Sequence, residues 1–553
     1  MFKDALIRLR ALGTRFAGDR RGNVAIMFGF MAIPTIALAG AAIDFSNGLR
    51  MKAKMQASID AAALATARYA SDGDRSESEI SDYANKFFEA NFNKTEFGTP
   101  PTLVAKVNKV DGELTISANA TTKTYIIQLV GIPQMGVGVF SSVKFANRTV
   151  DVALVLDNSG SMGDENRLVD VKDAAKKFAK ALFGDTTSSH PNLQIGIVPF
   201  NHTVNVGSGY ATASWMDTGA VSPIHSEIFS TPANRFTLYN QMQITWPGCV
   251  EVRPQPYDVH DFNPSTSEMD SDEVAMGTPN SAHYFVPWFM PDEPDYKVKV
   301  SGSWKYILWN YNRPGSNYRD DGFSYSNSKD NNGTGSDRWF ERQGNVAKYN
   351  SKETSDGPAE GCYVRPITDL TNSLAPLETE IDKMVAKGST NIMQGFAWGW
   401  RLVSHGEPFT KGRDPLVDKE NLKFVILLTD GVHYSVNNQS NPNGSDYGAF
   451  GYANTNRLKL TSSNTKSNRE KQMNQRLAKA CEHAKASGIQ VFTITYGSDL
   501  DVPPSDTTSD EAQTKAIMKG CASKPSYYYH SPSNADAIFS AIADQINSLY
   551  LNK

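Results

Sequence analysis

A run of five consecutive apolar residues, Val152–Leu156, is the feature that most constrains the fold of this 553-residue chain. Such a run predicts a strand that is buried on both faces of a parallel sheet. It ends at Asp157, and Ser159 and Ser161 follow on the same short turn. Ligands bind open α/β sheets at the carboxyl ends of their strands. A carboxylate and two hydroxyls are hard oxygen donors, which favour Mg²⁺ or another divalent cation such as Mn²⁺ or Ca²⁺. The alternative is a serine-rich capping loop at the start of a helix.

Helical and strand patterns alternate along the rest of the chain after this strand. Further strands are predicted at Leu193–Phe200, Leu422–Leu428, Ile489–Tyr496 and Ser526–Tyr529. Helices are predicted at Arg167–Leu182, Leu377–Ala386, Met393–Val403, Asn468–Ser487, Ala512–Lys519 and Ala535–Leu549. This alternation predicts an α/β fold with a doubly wound sheet and parallel pairing.

The Asp-x-Ser-x-Ser pattern of the first loop resembles the metal-ion-dependent adhesion site (MIDAS) of von Willebrand factor A (vWA) domains. That family adds a Thr from a second loop and an Asp from a third. Here Lys387–Gly395 supplies Thr390, and Phe424–Gly431 is an apolar strand that ends at Asp430. The resemblance implies a Rossmann-like vWA fold and a bound cation with an open coordination position, which an Asp or Glu of a partner protein would fill. The implied ligands are Asp157, Ser159, Ser161, Thr390 and Asp430.

A long insertion is predicted between the second strand and the Thr390 loop, at residues 205–373. Its six tryptophans suit either a binding face or the core of the insertion itself; they are Trp215, Trp246, Trp288, Trp304, Trp309 and Trp339. The residues Asp330, Asn332, Thr334, Gly335 and Glu341 fall at the spacing of a calcium-binding EF-hand loop. Without strong flanking helices, an Asn/Gly-rich surface loop is the better interpretation of that spacing.

Four cysteines, Cys249, Cys362, Cys481 and Cys521, lie far from the N-terminus, and none forms a Cys-x-x-Cys pair. An even number of cysteines in an exported region indicates two disulfides, whereas a cytosolic location would favour four free thiols. We pair Cys481 with Cys521, since each lies at or near a helix ahead of a strand, and Cys249 with Cys362 inside the insertion. Four cysteines nevertheless allow three connectivities.

An uncharged run from Gly22 to Ile43 follows a basic segment at residues 1–21. The run is long enough to cross a bilayer, which takes about 20 residues. The positive-inside rule then keeps the basic segment in the cytoplasm and exports the remainder of the chain. The alternatives are a cleaved signal peptide with a site near Ala37–Ala39 and a buried core helix.

The helical pattern continues after this run. Met51, Met55 and Ile59 share one helical face, which packs either against a partner helix or against the chain's own domain. Residues 71–148 predict a small α+β stalk. The segments Arg20–Gly29, Gly40–Ser46 and Gln56–Ala65 resemble the N-terminal region of TadG-like proteins of the Tad (Flp-type) pilus-assembly system. That resemblance implies a role in pilus assembly, surface attachment or anchoring.

The predicted organisation and function follow from these patterns together. The segments are a cytoplasmic basic segment at 1–21, a transmembrane and continuing helix at 22–70, the stalk at 71–148, the vWA domain at 149–204 and 374–553, and the insertion at 205–373. A net charge of −4 gives no reason to expect nucleic acid. We expect a single-pass inner-membrane protein, exported for most of its length, that binds a protein partner through its metal and is not an enzyme. The alternatives are an adhesin that binds glycan or host protein through the insertion, and a metal-assisted hydrolase.

Overall fold

The structure is a computed structural model, in which two units, 1–147 and 148–552, are distinguished along the chain. It describes residues 22–71, 76–92, 101–108, 113–144, 148–184, 189–190, 192–261, 281–294, 297–300, 303–306, 318–319, 340, 342–435, 441 and 443–551. The basic segment 1–21, the EF-hand-like spacing and the side chains of Trp304, Trp309 and Trp339 lie outside the described part.

The first unit is built on one 50-residue helix, α1 (Gly22–Ser71). It is followed by α2 (Glu77–Asn91) and by strands β1 (Thr102–Asn108), β2 (Glu113–Lys123) and β3 (Gln134–Lys144). The strands form an antiparallel sheet in the order β1-β2-β3. Its alternating residues pack with Met51, Met55 and Ile59 of α1, all three fully buried. This face of α1 therefore packs against its own domain, and the unit is α+β, as predicted.

The N-terminal half of α1 has mostly exposed side chains. Its apolar side chains from Ile26 to Leu38 are largely exposed, and the helix is long and apolar enough to cross a membrane. This exposure contradicts the alternative of a buried core helix.

The second unit contains the remaining elements. Its helices are α3 (Arg167–Phe183), α4 (Arg235–Gln241), α5 (Leu374–Asp382), α6 (Ile392–Val403), α7 (Lys466–Ala486), α8 (Asp510–Cys521) and α9 (Ala535–Leu551). Its strands are β4 (Val150–Asp157), β5 (Leu193–Phe200), β6 (Val204–Asn205), β7 (Cys249–Val250), β8 (Lys297–Val300), β9 (Ser303–Tyr306), β10 (Thr368–Thr371), β11 (Leu422–Thr429), β12 (Gln490–Tyr496) and β13 (Tyr528–Ser531). Strands β8 and β9 form a separate antiparallel pair.

The main sheet runs β13-β12-β11-β4-β5, and all four of these pairings are parallel. Strand β10 pairs antiparallel with the other side of β5. The strand order is therefore that of a doubly wound sheet, with β4 at the point where the order reverses. Helices α3, α5 and α9 cover one face, and α6 and α7 cover the other. This architecture confirms the predicted α/β fold with a doubly wound sheet and parallel pairing.

The segment between β5 and β10 differs from the prediction in one respect. Strand β10 belongs to the main sheet, although it lies within the predicted range of the insertion, and β6 and β7 extend the sheet beyond β5 in antiparallel fashion. Trp215, Trp246 and Trp288 are buried in the core that also contains α6. These three rings therefore belong to a hydrophobic core, whereas the other interpretation made them a binding face.

Two disulfides tie these elements together, with the predicted pairing. Cys249 of β7 bonds to Cys362, 113 residues later. Cys481 of α7 bonds to Cys521 at the end of α8, 40 residues later.

Candidate metal centre

Asp157 is the last residue of β4, the central strand at which the sheet reverses its order. Its side chain is fully buried. One carboxylate oxygen accepts the backbone N–H of Ser159 at 2.8 Å, and the other accepts the hydroxyl of Thr429 at 2.7 Å. Because Thr429 ends the neighbouring strand β11, the parallel register of the two strands fixes the orientation of this carboxylate.

The loop that carries Thr390 is bound to the serine loop by backbone hydrogen bonds. Gly160 N donates to Gly388 O at 2.8 Å, and Lys387 N donates to Asn158 O at 2.9 Å. Thr390 itself is 5% exposed. Ser159, Ser161 and Thr390 therefore line one cavity of about 400 Å³ at the carboxyl edge of the sheet.

Asp430 directly follows β11 and is the residue that the third loop contributes to the site. The Ser161 hydroxyl donates to one Asp430 oxygen at 2.8 Å, and the hydroxyl oxygens of Ser159 and Ser161 lie 3.1 Å apart. The structure thus brings together all five residues that the sequence proposed as ligands.

The two carboxylates interact unfavourably when both are charged. Burial and the nearby charge of Asp430 raise the pKa of Asp157 to about 7. Burial also raises the pKa of Asp430, although hydrogen bonds from Ser161 and Arg167 oppose that effect. A cation between the carboxylates would relieve the repulsion, since an opposite charge favours the ionised form.

The donor set fits a hard divalent cation. It consists of two carboxylates and three hydroxyls, all oxygen ligands of the kind that Mg²⁺ and related ions prefer. Within the described ranges no group of three or more His, Cys, Asp or Glu residues is placed to hold a metal ion. The hydroxyls of Ser159, Ser161 and Thr390 are therefore essential to any cation site at this edge.

Arg167 is a further member of the site, which no pattern in the sequence indicates. It begins α3, and its side chain is 4% exposed. Its guanidinium donates to Asp430 at 3.1 Å, to Asp499 at 2.7 Å and to Glu165 at 3.0 Å. The second oxygen of Asp430 is thus already paired with a cationic side chain.

A second cavity of about 420 Å³ shares the residues Gly388, Ser389 and Tyr434 with the first. Its wall includes Tyr363 and Met290 from the insertion. The loop after β11 adds further aromatic rings, those of Tyr447, Phe450 and Tyr452. The insertion therefore contributes directly to the surface beside the candidate metal centre.

The two histidines near the site have different surroundings. His202 lines the second cavity, with its ring 5.4 Å from that of Trp288. His433 is buried, and burial lowers its pKa to about 3, so it is neutral. The Ser159 hydroxyl contacts the Ser161 hydroxyl rather than either imidazole.

The N-terminal segment matches a known family. Residues 22–68 match the Tad family model, described as putative Flp pilus-assembly TadE/G-like. No curated protein shows a significant match to the chain.

Several solved structures are similar to the chain at low identity. The vWF domain of the type V pili tip protein Mfa5 from Porphyromonas gingivalis is 11% identical, with 73% of this chain and 97% of that chain covered and a TM-score of 0.32. The pilus adhesin SpaC from Lactobacillus rhamnosus GG, in an open conformation, is 15% identical over 82% of this chain, with a TM-score of 0.30. The pilus adhesin RrgA from Streptococcus pneumoniae is 11% identical over 81% of this chain, with a TM-score of 0.30.

The chain spans 35% of the length of the SpaC structure and 49% of that of RrgA. The assignment of the fold depends on the strand order and connectivity of this chain itself. Residues 22–68 therefore match the family model described as putative Flp pilus-assembly TadE/G-like, and in this chain they precede a doubly wound α/β domain.

Proposed function

We propose that this chain is a membrane-anchored component of Tad/Flp-type pilus assembly or surface attachment, which binds a protein partner through a divalent cation. Asp157, Ser159, Ser161, Thr390 and Asp430 would hold Mg²⁺ or a similar ion. The ion would supply positive charge that attracts a carboxylate of the partner. The observation that carries the proposal is the meeting of three loops at one cavity lined by Ser159, Ser161 and Thr390.

The anchoring part of the proposal depends on α1. Its exposed apolar half has the length of a membrane span, and the Tad family match covers the same residues. We propose a bacterial inner-membrane protein with a cytoplasmic N-terminus, whose second unit lies outside the cytoplasm. The two disulfides support that location, because disulfides persist in oxidising compartments.

A binding role is favoured over hydrolysis by the contacts of the candidate nucleophile. Metal-assisted hydrolysis needs a base or an activated water in addition to the ion. The Ser159 hydroxyl lies beside another hydroxyl, and burial lowers the pKa of His433 to about 3, which makes its imidazole a weak base near neutral pH. These contacts favour a protein that captures a ligand.

One observation favours a second candidate function, adhesion through the insertion. The aromatic cavity beside the metal centre is lined partly by Tyr363 and Met290 of the insertion. Aromatic, mostly apolar cavities with a few polar groups are typical binding sites. A glycan or host protein bound there would make the chain an adhesin, and both functions are compatible.

The test is recovery of a partner from solubilised membranes, with the full chain as bait. We expect recovery in Mg²⁺, loss in chelator, and loss with Asp157→Ala even when Mg²⁺ is present. The matched control is Asp60→Ala, on α1 in the first unit, where the side chain is exposed. Recovery that is unaffected by both chelator and Asp157→Ala would overturn metal-bridged binding. Calorimetric titration of the native chain with Mg²⁺ and Mn²⁺ tests the ion separately.

A further inference from the structure

The loop between β2 and β3, Tyr125–Pro133, is an uncharged segment with exposed apolar side chains. Its sequence is Tyr-Ile-Ile-Gln-Leu-Val-Gly-Ile-Pro. The side chains of Tyr125, Leu129 and Ile132 are 69%, 81% and 53% exposed. A single exposed leucine needs no explanation, but several exposed apolar side chains on one short loop indicate a binding surface.

The loop is fixed to α1 by one carboxylate. Asp44 of α1 accepts the backbone N–H groups of Tyr125, Ile126 and Ile127, each at 2.9 Å. Gly40 lies one turn earlier on α1 and lets the loop approach the helix closely, because a Cβ there would lie 2.1 Å from the Ile126 side chain. The loop therefore lies against residues 40–44 of α1.

These residues are where the uncharged run of α1 ends. The run from Gly22 to Ile43 has 22 residues, or about 33 Å at 1.5 Å per residue, which matches a hydrocarbon core about 30 Å thick. Asp44 is the first charged residue after it. The exposed side chains of Ile43 and Phe45 flank Asp44 on the helix. Apolar surface is thus continuous from the proposed span onto the loop.

We propose that the Tyr125–Pro133 loop inserts its apolar side chains into the lipid bilayer, at the boundary between headgroups and acyl chains, beside the point where α1 leaves the membrane. This inference rests on the proposed anchoring by α1. Leu129 and Ile132 would contact acyl chains, and Tyr125 has the amphipathic ring that is enriched at membrane interfaces. The loop gives the first unit a second membrane contact, which fixes its orientation on the bilayer.

Lipid is favoured over a protein occupant by the position of the loop. Its contacts with Gly40 and Asp44 of α1 place it at the end of the helix stretch that lipid would surround. A partner protein at this point would have to replace lipid around α1 as well.

The test uses an environment-sensitive nitrobenzoxadiazole label on Leu129→Cys, in the full-length protein reconstituted in phosphatidylcholine vesicles. The four native cysteines are paired in disulfides, so the added thiol is the one that reacts. The substitution is benign because the side chain is 81% exposed. The matched control is Leu64→Cys, which is 69% exposed and lies about 30 Å beyond Ile43 along the helix. Phe30→Cys, within the proposed span, reports the anchor itself.

We expect phospholipids that carry a quencher near the headgroup to quench the label at 129 several-fold more than the label at 64, and phospholipids that carry the quencher along the acyl chain to quench the label at 30. Quenching at 30 but not at 129 overturns the loop contact and leaves the anchor standing. Absence of quenching at all three positions overturns the anchor, and the loop contact with it. A label at 129 that is shielded from aqueous iodide but not quenched by lipid indicates a protein occupant, such as a second copy of the chain, and overturns the lipid assignment.

Discussion

The buried carboxylate of Asp157 gives the sharpest test of the proposed metal centre. Burial and the charge of Asp430 raise its pKa from 3.8 to about 7. Such a change corresponds to roughly 4 kcal/mol. Between these two pKa values the folded protein binds more protons at this group than the unfolded chain does. The free energy of unfolding of the metal-free protein should therefore fall as the pH rises from about 4 to about 7.

The substitution Asp157→Asn removes the charge but keeps one carbonyl oxygen. The side chain then accepts from either Ser159 N or the Thr429 hydroxyl but not from both, a loss of about 1–2 kcal/mol. At pH 8 in chelator we expect a net gain in stability of about 2 kcal/mol, which should disappear at pH 5, where the native carboxyl is protonated. Saturating Mg²⁺ should make the native protein more stable than Asp157→Asn, since an ion at 100 times its dissociation constant stabilises the native protein by about 2.7 kcal/mol. Urea unfolding under each condition measures these differences.

The control is Asp151→Asn, the same substitution on the same strand. Asp151 is also buried, but it is ion-paired with Arg413 and Lys423. Removing the negative charge that faces those two cations should lower the free energy of unfolding by about 3–5 kcal/mol, with or without Mg²⁺. If Asp157→Asn in chelator at pH 8 destabilises the protein as Asp151→Asn does, or if Mg²⁺ stabilises both variants equally, the electrostatic reasoning about the site is wrong.

Three further variants test other contacts. Arg167→Gln should raise the affinity for Mg²⁺ in calorimetry and lower the recovery of an acidic partner, because it removes positive charge beside the ion. Cys481→Ser with Cys521→Ser should lower the unfolding free energy by about 3.9 kcal/mol by the chain-entropy relation; denaturation that matches the native chain would contradict it. Gly388→Ala should weaken Mg²⁺ binding, since Gly388 has a φ of +92° and a Cβ there would lie 2.8 Å from His202; an unchanged dissociation constant would show that the loop tolerates the change.

The central strands could be predicted from the sequence because each is an uninterrupted apolar run. Residues of β4 and β11 are buried on both faces, so the pattern alone identifies them and the residues that follow them. The edge strand β10 could not be found in this way. Its sequence is Thr-Asp-Leu-Thr, and only Leu370 in it is buried. The strand exists because it completes hydrogen bonds along β5, which is a property of the assembled sheet.

The five candidate ligands could be proposed because each follows a recognisable strand or loop, whereas Arg167 could not. An arginine at the start of a helix is usually a solvated residue, and its partner Asp430 is 263 residues away. Its presence bears on the proposed function through the charge of the site. With both aspartates ionised, Asp157, Asp430 and Arg167 together carry −2 + 1 = −1, and Glu165 and Asp499, which accept from the same guanidinium, bring the sum to −1 − 2 = −3. A divalent cation would bring it to −3 + 2 = −1, whereas without the arginine the same sum would be −2. Arg167 therefore offsets one carboxylate beside the ion and favours the capture of a partner's carboxylate.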